Sequence, residues 1–377
     1  MYFDKATLAQ ILAVTHDPRH IDLRRIAVMD TLVGVFSAIH AVNKGLELVD
    51  GRRFPAYHDI DVGEPIYIVA APRSGTTFFH RLMSLDPTFA TFTLFQTIFP
   101  SITASEVAEK VMASRGPISK ITDKVTNTID EGSFGGWEGM HDTGLDQDEE
   151  DEAIWALFLA TPAVLLLLPF PERFEHLRFV DRLPDEKKQR IVDGYRECLQ
   201  RRLHRHPGKT LLMKNVLLPG RYELVTRAAP RARFVHIVRH PYEAIASSLS
   251  LFTLPWTVMA REAYGPTEKT LDFANLLIDY YRFFYERERE SLARADGRFV
   301  SLQYRDLVAE PLTSLKKVYS SFDLPFDAGL ESRFGAELSK SADFKSTHDY
   351  SLEGFGLTRE YIAERLGDVM DYYGFER

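Results

Sequence analysis

Two stretches of this chain set cations beside hydroxyls in a pattern suited to holding an anion. The first is Pro72-Arg-Ser-Gly-Thr-Thr77. An apolar run, residues 65–71, precedes it, and Phe78, Phe79, Leu82 and Met83 follow at helical spacing, so the order reads strand, tight loop, helix N-terminus. A helix N-terminus offers unpaired backbone N–H groups and the positive end of the dipole, which favour phosphate or sulfate. Gly75 lets the backbone approach closely. Ser74, Thr76 and Thr77 add hydroxyl donors, and Arg73 adds a planar cationic fork. Serine and threonine are also ordinary cap residues, so a plain capped helix fits the same letters. The second stretch is Arg239-His-Pro-Tyr-Glu-Ala-Ile-Ala-Ser247, in which a cation ends a strand and a serine lies about two helical turns further on. A nucleoside-triphosphate loop of the form G-x-x-x-x-G-K-[ST] is a poor description of the first stretch, because Thr76 stands in the lysine position.

The elements that must position these residues alternate. Residues 65–71, 210–214, 233–239 and 299–304 are short apolar runs that read as buried strands, and helical patterns separate them over residues 185–205, 242–251, 271–293 and 312–322. Strand alternating with helix implies an α/β fold around a parallel sheet, with ligands at the carboxyl ends of the strands. Residues 1–60 read as helical; Leu32, Val35, Phe36 and Ile39 mark one apolar face. Residues 101–151 are polar and rich in glycine and read as loops and short helices.

Composition narrows the class. The 377 residues carry 46 Lys+Arg against 54 Asp+Glu, a net charge of −8, which speaks against binding to nucleic acid. Cys198 is the single cysteine, so no intrachain disulfide or multi-cysteine metal site is expected, and a reducing cytoplasm is the expected location. The first ten residues hold Asp4 and Lys5 and lack the apolar core of a secretory leader. Residues 153–170 are uncharged and just reach the length of a membrane span. Pro162, Pro169 and Pro171 break the stretch, so two short buried pieces, or the lining of an apolar pocket, describe it better.

The two anion motifs, in this order, resemble those of sulfotransferases. Residues 72–77 are similar to the family's 5′-phosphosulfate loop, P-[KR]-S-G-T-T, and Arg239 with Ser247 resembles its 3′-phosphate motif. Tyr304-Arg-Asp-Leu-Val-Ala-Glu-Pro311 resembles its Y-E-D-L…P segment, and residues 341–356 resemble the tail of its bacterial-type branch. The resemblance implies a three-layer P-loop-like fold. Residues 1–60 would form a helical extension, residues 61–377 the sulfotransferase domain, and roughly residues 100–205 an acceptor-side insertion. It also implies transfer of a sulfuryl group from 3′-phosphoadenosine 5′-phosphosulfate (PAPS) to a hydroxyl, without a metal. Arg73, Ser74, Gly75, Thr76 and Thr77 would hold the 5′ end, Arg239 and Ser247 the 3′-phosphate, and Tyr304 the adenine. Tyr304 reads equally well as a core aromatic on a strand.

The acceptor side is less defined. Many relatives carry a histidine soon after a strand-end lysine, whereas the matching stretch here, Lys214-Asn-Val-Leu-Leu-Pro219, has none. Lys214 is a candidate sulfate contact or a structural ion-pair partner. His141 is a candidate base by its unperturbed pKa, with a surface histidine as the plain alternative. Glu149 and Glu152, in the acidic run 146–152, are second-rank bases; such runs commonly form a solvated helix start. His80 and His236 read as packing residues. A small apolar acceptor with a hydroxyl is expected, with room for transient membrane-surface contact and for a homo-oligomer. A P-loop-type small-molecule kinase and a non-catalytic nucleotide-binding or membrane-surface protein are the rival readings.

Overall fold

The run Ile66–Val69 has no polar alternation, and every side chain in it is buried. Such a strand must be covered on both faces, which in a parallel sheet is the work of helices. The computed structural model describes residues 3–113, 147–168, 170–259, 265–341 and 351–377. Among the described residues are five strands: β1 (Ile66–Val69), β2 (Phe89–Ala90), β3 (Thr210–Lys214), β4 (Arg233–Val238) and β5 (Phe299–Gln303). All pair in parallel in the order β2-β3-β1-β4-β5. The period of two is read directly in the packing. Tyr67, Val69, Leu211, Met213 and Phe234 join one core cluster, while Ile66, Ile68, Leu212, Val235 and Ile237 join another on the opposite face.

The first face is covered by helices Asp185–Arg205 and Tyr222–Ala228, the second by Thr76–Met83, Pro311–Ser321 and Ala328–Ser341. Tyr195, Cys198 and Leu199 are fully buried against β1 and β3 residues. Helix Asp185–Arg205 is therefore part of the main core. A third cluster joins Pro241–Met259, Glu268–Arg294 and Arg359–Tyr373. The N-terminal helices Lys5–Thr15 and Leu23–Arg53 pack through Ile11, Val14 and Met29 on Leu159, Leu165, Leu168 and Phe174. Among the predicted apolar face residues of the second helix, Leu32, Phe36 and Ile39 are half-buried, but Val35 is 49% exposed. The stretch from residue 153 onward folds as two pieces, helix Glu152–Leu157 and the 3-10 turn Pro162–Leu166. Ile154, Trp155, Phe158 and Leu168 within it are fully buried.

β1 is the switch point. The chain runs from β1 to the β2 edge, returns through β3, then crosses β1 to reach β4 and β5 on the other side. The carboxyl ends of β1, β3 and β4 thus open onto one crevice, the expected ligand position in such sheets.

Candidate active site

The loop after β1 turns sharply. Arg73 (φ 65°) and Gly75 (φ 81°) both adopt left-handed backbone, a conformation that costs an ordinary residue such as arginine of order 1 kcal/mol. Gly75 is required on a second ground: a Cβ there would meet the Tyr304 ring at 2.9 Å. Gly75 caps helix Thr76–Met83 without a side-chain hydrogen bond to the first turn. Ser74 is fully buried, and among the described residues its Oγ has no hydrogen-bond partner. Uncapped N–H groups with an orphaned buried hydroxyl beside them form a donor-rich cradle for an anion.

The distant motif residues arrive at the same place. Arg239, just past β4, donates from Nη1 to the Arg73 carbonyl at 2.7 Å. Arg73 Nε donates to Ser247 Oγ at 3.4 Å. The Arg239 guanidinium lies 4.6 Å from the centroid of the Tyr304 ring, whose edge faces Gly75. Tyr304 is the first residue of helix Tyr304–Ala309, not the last of β5. Ser248 donates to the Pro72 carbonyl at 3.1 Å, and Tyr281 donates to the Arg239 carbonyl at 2.8 Å, so helices Pro241–Met259 and Glu268–Arg294 both brace the two loops.

The β3 end supplies the next layer. Lys214, fully buried, donates from Nζ to Thr77 Oγ1 at 3.1 Å. The same ammonium lies 3.4 Å from Glu150 Oε1 and 3.8 Å from Glu149 Oε2. Burial pushes the Glu150 carboxyl up to about 7; the Lys214 charge opposes this, and Glu149, Glu152 and Asp151 add to it. Asp151 is also pushed up, to about 6, chiefly by burial and against the pull of Arg221. It accepts from Trp155 Nε1 at 3.0 Å, Asn215 Nδ2 at 2.7 Å and the Tyr195 hydroxyl, and its N–H donates to the Lys214 carbonyl at 3.4 Å. Asp151 thereby ties the acidic segment to the end of β3.

Of the candidate bases, Glu149 sits in this cluster. Glu152 does not: it pairs with the buried Arg221 and accepts from Thr161. His141 lies outside the described residues. Glu150, the carboxylate closest to Lys214, was not singled out from sequence, because nothing in a run of acidic residues tells which one is buried beside a lysine. His80 and His236 are buried; His80 faces the Leu212 carbonyl and is held neutral, its pKa lowered to about 4 by burial and by Lys214. The His236 ring lies tilted against Phe284, with 4.6 Å between centroids.

A narrow apolar crevice with about 10 Å³ of free space lies between the Pro162–Leu166 turn and two helices. Pro162, Ala163, Leu166, Leu217, Phe252 and Phe273 line it, three residues beyond Lys214 at Leu217. Tyr280, also in its wall, is close enough to Arg221 and Glu152 to feel both charges. Its lining suits apolar groups and would leave the hydroxyls of a free sugar without partners.

The profile of the sulfotransferase family matches residues 65–328. Omega-hydroxy-beta-dihydromenaquinone-9 sulfotransferase Stf3 of Mycobacterium tuberculosis is 24% identical over 341 residues, 88% of this chain and 80% of that protein. Sulfotransferase STF9 from Mycobacterium avium superposes with a TM-score of 0.76 at 21% identity, over 98% of this chain and 91% of its own. Sulfotransferase STF1 from Mycobacterium tuberculosis H37Rv gives 0.71 at 20% identity, over 96% and 91%. The two solved structures share the fold.

Proposed function

The chain belongs to the sulfotransferase family, and on that premise we propose that it moves a sulfuryl group from PAPS to a hydroxyl on an apolar, lipid-like acceptor. One observation carries the donor reading. Arg73, Thr77, Lys214, Arg239, Ser247 and Tyr304, far apart in sequence, form one connected cluster at the strand ends. PAPS supplies a sulfuryl group on a nucleotide leaving group, and the cluster has a place for each of its charges.

The N–H groups at Thr76 and Thr77, with Ser74 Oγ, hold the 5′ oxygens. Arg239 and Ser247 hold the 3′-phosphate, with Arg239 turning from Glu243, its present partner at 3.0 Å. Tyr304 offers its ring edge and hydroxyl near the base. Arg73 cannot readily release a proton, so it acts on the leaving oxygen by charge alone. Lys214 bridges donor and acceptor sides and neutralises the oxygens of the group in flight. By analogy with phosphoryl transfer, alignment and electrostatics supply most of the acceleration.

Glu150 accepts the proton of the attacking hydroxyl. Its carboxyl titrates near neutral pH, the range in which a base is both available and strong. The apolar crevice, widened as the Pro162–Leu166 turn moves aside, receives the acceptor body. The named substrate of the relative Stf3, a hydroxylated dihydromenaquinone, is an acceptor of this kind. The test is product mass spectrometry with PAPS and a graded series of alkyl alcohols and hydroxylated isoprenoid quinones. Each added CH₂ should lower KM by roughly fourfold, at about 0.8 kcal/mol per buried methylene, until the cleft is full. Sulfation of sugars in preference to every apolar alcohol would overturn the acceptor reading; transfer from adenosine 5′-phosphosulfate as fast as from PAPS would overturn the donor reading.

A further inference from the structure

Glu150 stands between two anchors. Ahead of it, the Glu149 N–H donates to the Phe92 carbonyl at 2.9 Å. Behind it, the Asp151 N–H donates to the Lys214 carbonyl at 3.4 Å, and the Asp151 carboxylate accepts from Asn215 Nδ2 at 2.7 Å. The Glu150 carboxylate reaches the Lys214 ammonium at 3.4 Å. Its place beside the donor loop therefore follows from how residues 149 and 151 are held.

Asp151 is suited to holding it by its chemistry. It is fully buried, and a buried charge costs stability unless it is compensated. Arg221, whose charge it feels, pairs with Glu152 and donates to Asn215 Oδ1 instead. The three side-chain donors to Asp151 are neutral: Trp155 Nε1 and the Tyr195 hydroxyl reach Oδ2, and Asn215 Nδ2 reaches Oδ1. An acceptor-only group takes all three, whereas an amide would turn its own N–H groups on one of them.

Each partner leads to a strand of the donor site. Asn215 follows Lys214, and its N–H donates to the Ile68 carbonyl of β1 at 3.0 Å. Its amide orientation is fixed, because Oδ1 accepts from the Leu217 N–H and from Arg221 Nη2, both at 3.1 Å, which leaves Nδ2 for Asp151. The Tyr195 hydroxyl lies 2.9 Å from that of Tyr67 in β1, the strand that runs into residues 72–77. Asp151 thus registers the segment of Glu150 against both strands, β1 with the 5′ loop and β3 with Lys214.

On the premise that Glu150 is the base, we propose that Asp151 and Asn215 are positioning residues: their hydrogen bond sets Glu150 against Lys214 and governs the transfer step without touching nucleotide or acceptor.

Exchanging the two side chains tests this. In Asp151→Asn two amide N–H groups face each other, and in Asn215→Asp two carboxylates do. In Asp151→Asn with Asn215→Asp the same bond forms with donor and acceptor exchanged, and Trp155, Tyr195, Leu217 and Arg221 all keep an acceptor. Each single variant should lose about 10²-fold in kcat with PAPS and dodecanol, the cost of a misplacement near 1 Å. Acceptor KM and the affinity for 3′,5′-diphosphoadenosine at pH 6 should change little. The exchange should return most of the rate. A second readout needs no acceptor. Lys214 also donates to Thr77, so ionisation of Glu150 beside it weakens a bound anion as pH rises from about 6 to 8. That slope should flatten in Asp151→Asn, as in Glu150→Gln, and reappear in the exchange. Tyr195→Phe, which keeps the ring and removes one hydroxyl from the network, should lower kcat by about tenfold with the same sparing of KM, and it decides the matter if the exchanged protein does not fold. Wild-type kcat and slope in Asp151→Asn, a loss of nucleotide affinity as large as the loss of kcat, or a folded exchange as slow as its parents would overturn the proposal. Undiminished kcat in Glu150→Gln would instead overturn the base reading on which it rests.

Discussion

Glu150→Gln separates the cost of the proposed base from its use. The carboxyl has an ordinary value of 4.5 and is pushed up to about 7 by burial in the fold. A raised acid pKa means that the folded state holds its proton more tightly than the unfolded chain does. No penalty exists below about pH 4.5, where both states are protonated. The penalty grows as pH rises from there to about 7 and is complete above it. A gap of some two to three units corresponds to roughly 3 kcal/mol, an upper figure because Lys214 loses one of its two carboxylates in the variant. Glutamine copies the protonated shape without the charge. The variant should therefore be more stable than wild type at pH 8, by a few degrees in Tm, and the advantage should fade as pH drops towards 5. Its kcat should meanwhile fall by about 10²- to 10⁴-fold, the usual range for a lost general base. Wild-type kcat/KM should climb with pH to an inflection near 7 and level off. Calorimetry at pH 5 and 8 with steady-state rates over the same span checks both halves. A variant with undiminished kcat, or one no more stable at pH 8 than wild type, would refute the reasoning.

Two further outcomes concern the donor cluster. Arg239→Ala should weaken 3′,5′-diphosphoadenosine by about 10- to 150-fold, for a charge-assisted bond of about 1.5–3 kcal/mol, while leaving adenosine 5′-monophosphate nearly unaffected; calorimetric titration with both nucleotides measures the difference. Gly75→Ala combines left-handed strain of about 1–2 kcal/mol with a 2.9 Å collision against Tyr304. Nucleotide affinity should drop by at least about tenfold, and adding Tyr304→Ala should relieve only the collision, which the same titration would show as incomplete recovery.

The donor half of the site was legible because its signals are local. A strand, a tight turn with Gly75 and a helix start are neighbours in sequence, and the alternation of strands and helices fixes that their ends share one edge. Strand β3 appears over Thr210–Lys214 as its residue types require, whereas β2, two residues long at the sheet edge, has too little pattern to be read. Tyr304 was placed at a strand end from its apolar surroundings but opens a helix. The acceptor half depends on contacts between distant elements. Lys214 selects Glu150 and Glu149 from the acidic run, and Arg221 takes Glu152 away; neither choice leaves a trace in local sequence. Val35 shows the same limit. Periodicity groups it with Leu32, Phe36 and Ile39, yet it lies at the margin of that arc and faces out.

Lys214 also couples the two halves, and the coupling has a measurable sign. Its single ammonium donates to Thr77 at the donor loop and faces Glu150 on the acceptor side. The positive charge of Lys214 is what holds the Glu150 carboxyl down against burial and three neighbouring carboxyls. An anion seated on Thr76 and Thr77 would share that charge and add its own negative field a few ångströms away. Both effects disfavour ionised Glu150, so its pKa must rise when nucleotide is bound. Proton release and anion binding are linked, so the converse holds as well: nucleotide should bind more weakly as pH climbs through 7 and Glu150 loses its proton. The inflection in kcat, which reports the loaded enzyme, should then lie above the inflection in kcat/KM for the donor, which reports the free enzyme. In Glu150→Gln the pH dependence of 3′,5′-diphosphoadenosine affinity between pH 6 and 8 should flatten, apart from the ligand's own phosphate ionisation. Titrations of wild type and variant over that range read the difference directly, and identical slopes in the two proteins would show that Lys214 does not connect the donor loop to the base.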